Sequence, residues 1–171
     1  MANNPTNPNA LTGSYTATWN TAAIGLVQGP YILRPSWIAD GVFADQYGGM
    51  KIDDLYLGQD QLLLFIMKEW TASVRSILWP FATNPLEIGN LSRAVVKDNI
   101  AKQLVLTAVS GSLVDTALGF QTVTIPYSII APGSDIDIPM GNVERDIPIV
   151  MQCYPFIDTS DSNKIKLGTV T

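Results

Sequence analysis

The chain has 171 residues, enough for one domain with a sizeable core, and 47 % of them are apolar while only 15 % are charged, against about a quarter charged in ordinary soluble domains. Its net charge of −5 comes from fifteen acids and ten scattered bases; without a basic stripe, direct gripping of nucleic acid is disfavoured. The single cysteine excludes an intramolecular disulfide framework, and no apolar run approaches the ~20 residues of a membrane-spanning helix.

Residues 1–13 are rich in Asn, Pro and Thr and read as an extended N-terminal arm, without the charged and apolar regions of a signal peptide. Residues 14–171 then form a single β domain. Strands are expected at 14–19 and 22–28, with a turn at Gly29-Pro30. Tyr31, Leu33 and Trp37 alternate with Ile32, Arg34 and Ser36, and Pro35 restricts that segment to an edge or bulged strand. Residues 42–46 and 51–57 flank a Gly48-Gly49 turn, and Gly58 introduces a further strand over 59–70. The clearest helix is 72–79, with Thr71 as N-cap, an apolar stripe of Val74, Ile77 and Leu78, and Pro80 as its stop. About nine residues are too few for a stable isolated helix, so it must pack on a sheet.

Residues 82–99 carry loop signals at Asn84-Pro85 and Gly89-Asn90, and periodicity does not decide between a helical turn and an irregular crossing over 91–99. Strands follow at 102–109, 120–130 and 146–154, linked by Ser110-Gly111-Ser112 and by Ala131-Pro132-Gly133, with a short final strand over 165–170. Eight to ten strands and one helix make a mainly β domain, a sandwich or rolled barrel with one flanking α-helix.

Candidate chemistry is sparse. No histidine is present, which removes the usual general base and the commonest metal ligand. One cysteine cannot build a thiolate zinc site, and Cys153, inside the alternation IVMQCYPF, reads as a small buried hydrophobe. Asp135 and Asp137 would suit a calcium site or an acid/base couple, but they alternate with Ile136 and Ile138 as the wet face of a strand does. Trp19, Trp37, Trp70 and Trp79 would suit a sugar-binding surface; Trp70 and Trp79 flank the helix and fit its seam with the sheet better. No enzymatic activity, cofactor or metal is expected.

The run Asp45-Gln46-Tyr47-Gly48-Gly49, then Ile52-Asp53, Gly58, the apolar strand to Glu69-Trp70 and the helix ending at Leu78 resembles the tail tube (major tail) proteins of long-tailed bacteriophages. Ala23 to Leu26, Ala101-Lys102 with Leu104-Val105-Leu106, and Arg145 through Tyr154-Pro155 extend the resemblance over most of 20–170. The N-terminal arm, residues 82–99 and Gln103 depart from the family pattern. The resemblance implies a structural virion protein whose protomers form hexameric rings, with inner strands joined into one inter-subunit barrel. Stacked rings would make the tube that conducts DNA without binding it specifically. It also implies other tail proteins as partners (tape measure, terminator, baseplate or sheath), no membrane, synthesis in the host cytoplasm and residence in the tail.

Gln46, Tyr47, Gly48, Gly49, Met50 and Lys51 are then candidates for the subunit or ring interface. Asp45, Asp53, Asp54 and Asp60 are candidates for a lumen wall that repels phosphates, and equally read as solvated turns. Rival readings are another ring-former, such as a secretion-system tube protein or tail terminator, and a carbohydrate-binding β-sandwich using Asp135 and Asp137.

Overall fold

The computed structural model describes residues 14–82, 96–109, 121–141 and 146–171. Ten strands and one α-helix are found among them: β1 (Tyr15–Trp19), β2 (Ala22–Ala23), β3 (Val27–Ala44), β4 (Met50–Met67), α1 (Ala72–Leu78), β5 (Lys102–Ala108), β6 (Thr122–Ile130), β7 (Ile147–Cys153), β8 (Phe156–Asp158), β9 (Lys164–Lys166) and β10 (Thr169–Val170). The main sheet runs β2-β1-β5-β6-β7-β4-β3, with β10 on β6, and β8 pairs with β9 apart from it. Every pairing is antiparallel. The protein is therefore mainly β with one short helix.

Period-two alternation builds the core. Ile147, Ile149, Met151 and Cys153 of β7 are buried while their neighbours face outward, and Leu63, Phe65 and Met67 of β4 meet them from the adjoining strand. Leu104, Leu106, Val123 and Ile125 continue the same layer through β5 and β6. Trp19, 5 % exposed, closes one side. Its indole N–H donates to the Ser128 carbonyl at 3.3 Å, and the Ser128 hydroxyl donates to the Lys102 carbonyl at 3.0 Å, so these buried polar groups are satisfied. The ladder between β5 and β6 slips just there, between Lys102/Ser128 and Leu104/Ile125. Pro126, which has no N–H to donate, falls within the slip.

Helix α1 is placed as the sequence predicts. Thr71 Oγ1 accepts from the Val74 N–H at 3.3 Å, and the Trp79 N–H closes the last turn on the Arg75 carbonyl. Val74 and Ile77, one turn apart, are fully buried. The Trp70 and Trp79 rings meet edge-on at 5.9 Å where the helix joins the sheet.

Several expected boundaries move. The strand predicted over 22–28 is only Ala22–Ala23 before the chain leaves the ladder. Gly25, at φ 96, breaks it, with a Glu69 carboxylate oxygen 2.6 Å from where a Cβ would sit. The separate strands expected at 42–46, 51–57 and 59–70 are parts of continuous β3 and β4, with Asp45–Tyr47 a 3₁₀ turn. Gly58 does not start a strand; it sits at a bulge, because Ile38 pairs Gly58 while Ala39 pairs Tyr56. Residues 135–138 lie in no strand, although Ile136 and Ile138 do pack on the core while both aspartates are exposed. The final segment splits into β9 and β10, which belong to different sheets. Val96–Ile100 is a single π turn. The expected N-terminal arm, residues 83–95 and the Ser110-Gly111-Ser112 link lie outside the described residues.

Candidate assembly surface

Strands β3 and β4 are each 18 residues long, three times an ordinary strand. Only Gln61 to Met67 of β4 also pairs with β7; from Met50 to Asp60 its sole ladder partner among the described residues is β3. The distal half is thus a two-stranded ribbon reaching roughly 30 Å beyond the body at ~3.3 Å per residue. The outer edge of β3 has no ladder partner among the described residues.

Register assigns the ribbon's faces. Trp37, Ala39, Gly41 and Phe43 lie opposite Gln59, Tyr56, Asp54 and Lys51 on the face continuous with Leu33 and Leu63. Ser36, Ile38, Asp40 and Val42 lie opposite Asp60, Gly58, Leu55 and Asp53 on the other. Leu57 and Ile52 are the extra residues at two bulges, which bend a ribbon and raise its twist. Both faces carry large apolar side chains in water: Trp37 is 80 % exposed, Met50 68 % and Phe43 64 %. A lone two-stranded ribbon is marginal in water, and exposed apolar side chains in such number are characteristic of surfaces that meet a protein, a membrane or a ligand.

The six candidate interface residues fall together at the ribbon's tip. Gly48 donates its N–H to the Asp45 carbonyl at 3.0 Å, and Gly48 and Gly49 take φ 66 and 75, a left-handed pair that glycine alone adopts without strain. Gln46, Met50 and Lys51 are exposed there. The four acidic candidates separate. Asp53 and Asp60 share a face with Asp40; Asp54 lies opposite, its carboxylate 2.5 Å from Lys51; and Asp45 caps the tip. One face cannot present all four acids to a common lumen.

Where the ribbon leaves the body, a groove of about 800 Å³ opens between Leu33, Pro35, Tyr56 and Gln59 on one wall and Val123, Ile125, Leu167 and Val170 on the other. Its titratable lining among the described residues is Tyr56 and Lys166. Among the described residues no group of three or more Asp, Glu, Cys or His comes together. Asp135 and Asp137 line neither this groove nor the smaller pocket beside α1. Cys153 is buried, and burial pushes its thiol up to about 12, which makes it inert as a nucleophile.

Sequence reading missed the apolar side chains of the ribbon, above all Trp37, Ile38, Phe43 and Leu55. The signal was present: Trp37-Ile38 and Leu55-Tyr56-Leu57 put apolar residues in both phases of the alternation, which a strand does when both of its faces are to be covered. Among the described residues no helix is long and apolar enough to cross a membrane. No family model and no curated protein sequence matches the chain.

Proposed function

We propose that this chain is a phage tail tube protein: a structural virion subunit that assembles through its ribbon and free sheet edge into stacked hexameric rings enclosing a DNA conduit. The observation that carries the reading is the β3–β4 ribbon, apolar on both faces and lacking a partner among the described residues along the outer edge of β3. Each large apolar side chain left in water forgoes ~1.5–3 kcal/mol of burial, so several of them on one ribbon strongly favour association. An open edge of 18 residues invites strand addition by another copy. In a ring, pairing between neighbours would close the subunits' sheets into a barrel wide enough to hold an open channel.

The resemblance over residues 45–78 supports the same reading from a different side, because the Gln-Tyr-Gly-Gly motif forms the ribbon's tip and Gly58 its bulge. The acids of the ribbon would line or flank the bore and keep DNA from adhering. Sedimentation and negative-stain microscopy of the purified chain test the proposal. Hollow rings or tubes are expected; a monomer at every concentration up to the millimolar range overturns it.

A further inference from the structure

A second concavity, of about 420 Å³, lies beside α1, between the helix, the end of β1 and the π turn. Its walls include Trp19 and Trp79, and Arg75, Ser76, Asn99 and Lys102 contribute polar groups. Arg75 Nε is buried and has no hydrogen-bond partner. Among the described residues neither Arg75 nor Lys102 forms an ion pair. A guanidinium nitrogen held away from water without an acceptor is costly, so the pocket favours an entering acceptor, and the nearby positive charges favour an anionic one. Two cations, one of them a planar fork, in a pocket also lined by two indoles match a carboxylate, which accepts two parallel N–H bonds.

The complementary charge sits at the other extreme of the molecule. Asp45, at the ribbon tip, is exposed and has no cation beside it among the described residues, unlike Asp54, which Lys51 neutralises. The tip does not line the pocket of its own chain, and a paired ribbon roughly 30 Å long holds it away from the body. Contact between the two can therefore be made only between copies.

We propose that the pocket beside α1 is a carboxylate receptor for the ribbon tip of a second copy of this chain, with Asp45 the entering group and Arg75 and Lys102 its receivers. The inference rests on the assembly reading above. Tip and pocket are different surfaces, so the contact can be heterologous and repeat from copy to copy, as stacking requires. It also explains why the 3₁₀ turn and the two left-handed glycines matter: they present Asp45 on a narrow, defined tip.

Charge exchange tests it in the full-length chain. Arg75→Glu and Asp45→Arg are each expected to raise the concentration for half-assembly at least about tenfold, as loss of a close charge pair does. The double variant Asp45→Arg/Arg75→Glu restores assembly to within about threefold of the parent, since every copy again carries a matched tip and pocket. A second readout does not depend on tolerance of a reversed charge. Asp45→Cys/Ser76→Cys, oxidised after assembly, should give a ladder of disulfide-linked multimers, which neither single variant gives. If the parent forms rings or tubes and Arg75→Glu assembles equally well, with no ladder from the double cysteine variant, the pocket contact is wrong and the assembly reading stands. If the parent never assembles, both fall.

Discussion

Lys166 holds two carboxylates at once, Asp158 at 2.9 Å and Asp161 at 2.6 Å, while the Ser160 hydroxyl donates to Asp158 at 2.6 Å. The donation from Ser160 and then from Lys166 pulls Asp158 down to about 2 from an ordinary aspartate value, and Lys166 is correspondingly raised. These contacts fasten the β8–β9 hairpin across the turn in which Ser162 and Asn163 both take positive φ. A depressed aspartate contributes stability that is complete above its unfolded value near 3.8 and vanishes as pH falls through about 2. Hairpin protection should therefore hold through pH 4 and fade only below it. Lys166→Met should move the Asp158 midpoint upward, read from the carboxyl carbon shift during an acid titration; an unmoved midpoint would show that Ser160 alone sets it.

The ribbon is the element on which the proposed assembly rests, and the register of its ladder allows it to be removed from the body. None of the fully buried core residues lies between 37 and 59, and Ser36 faces Asp60 directly across the ladder. Replacing residues 37–59 by Asn-Gly closes that pair with a two-residue turn of the favoured kind. Thermal unfolding should still be cooperative, with stability within about 1 kcal/mol of the parent at a dilution where neither assembles, as surface changes usually allow. Sedimentation should show the shortened chain monomeric at concentrations where the parent is assembled. Assembly that survives the deletion would remove the ribbon from the interface. This element also shows what the sequence could and could not convey. The turn at Gly48-Gly49, the edge placement that Pro35 allows and the Thr71-capped helix were all legible, because each follows from one residue's backbone chemistry. Continuity across Gly58 was not legible, because a glycine marks a strand boundary and a strand bulge alike, and only the partner strand's register distinguishes them.

At the scale of the whole molecule, the split of Asp53 and Asp60 from Asp54 makes the electrostatic part of the proposal specific. The face bearing Asp40, Asp53 and Asp60 has Arg34 as its one cation between residues 32 and 64, whereas Asp54 on the opposite face is already neutralised by Lys51. Local period-two reading recognised the acids but not their faces, since the bulges at Leu57 and Ile52 each displace the alternation by one residue. If the Asp53/Asp60 face lines the bore, six copies would present a ring of like charge, and DNA would meet repulsion wherever it touched the wall. Reversing that face should then turn repulsion into adhesion. Assembled Asp53→Lys/Asp60→Lys should retain a short DNA duplex at ~50 mM salt and release it by ~200 mM, with log affinity falling linearly in log salt as phosphate contacts require. Asp54→Lys, on the opposite face, should retain little. Equal retention by both variants would place the acidic face elsewhere than the bore, because exposure alone, and not position, would then govern binding.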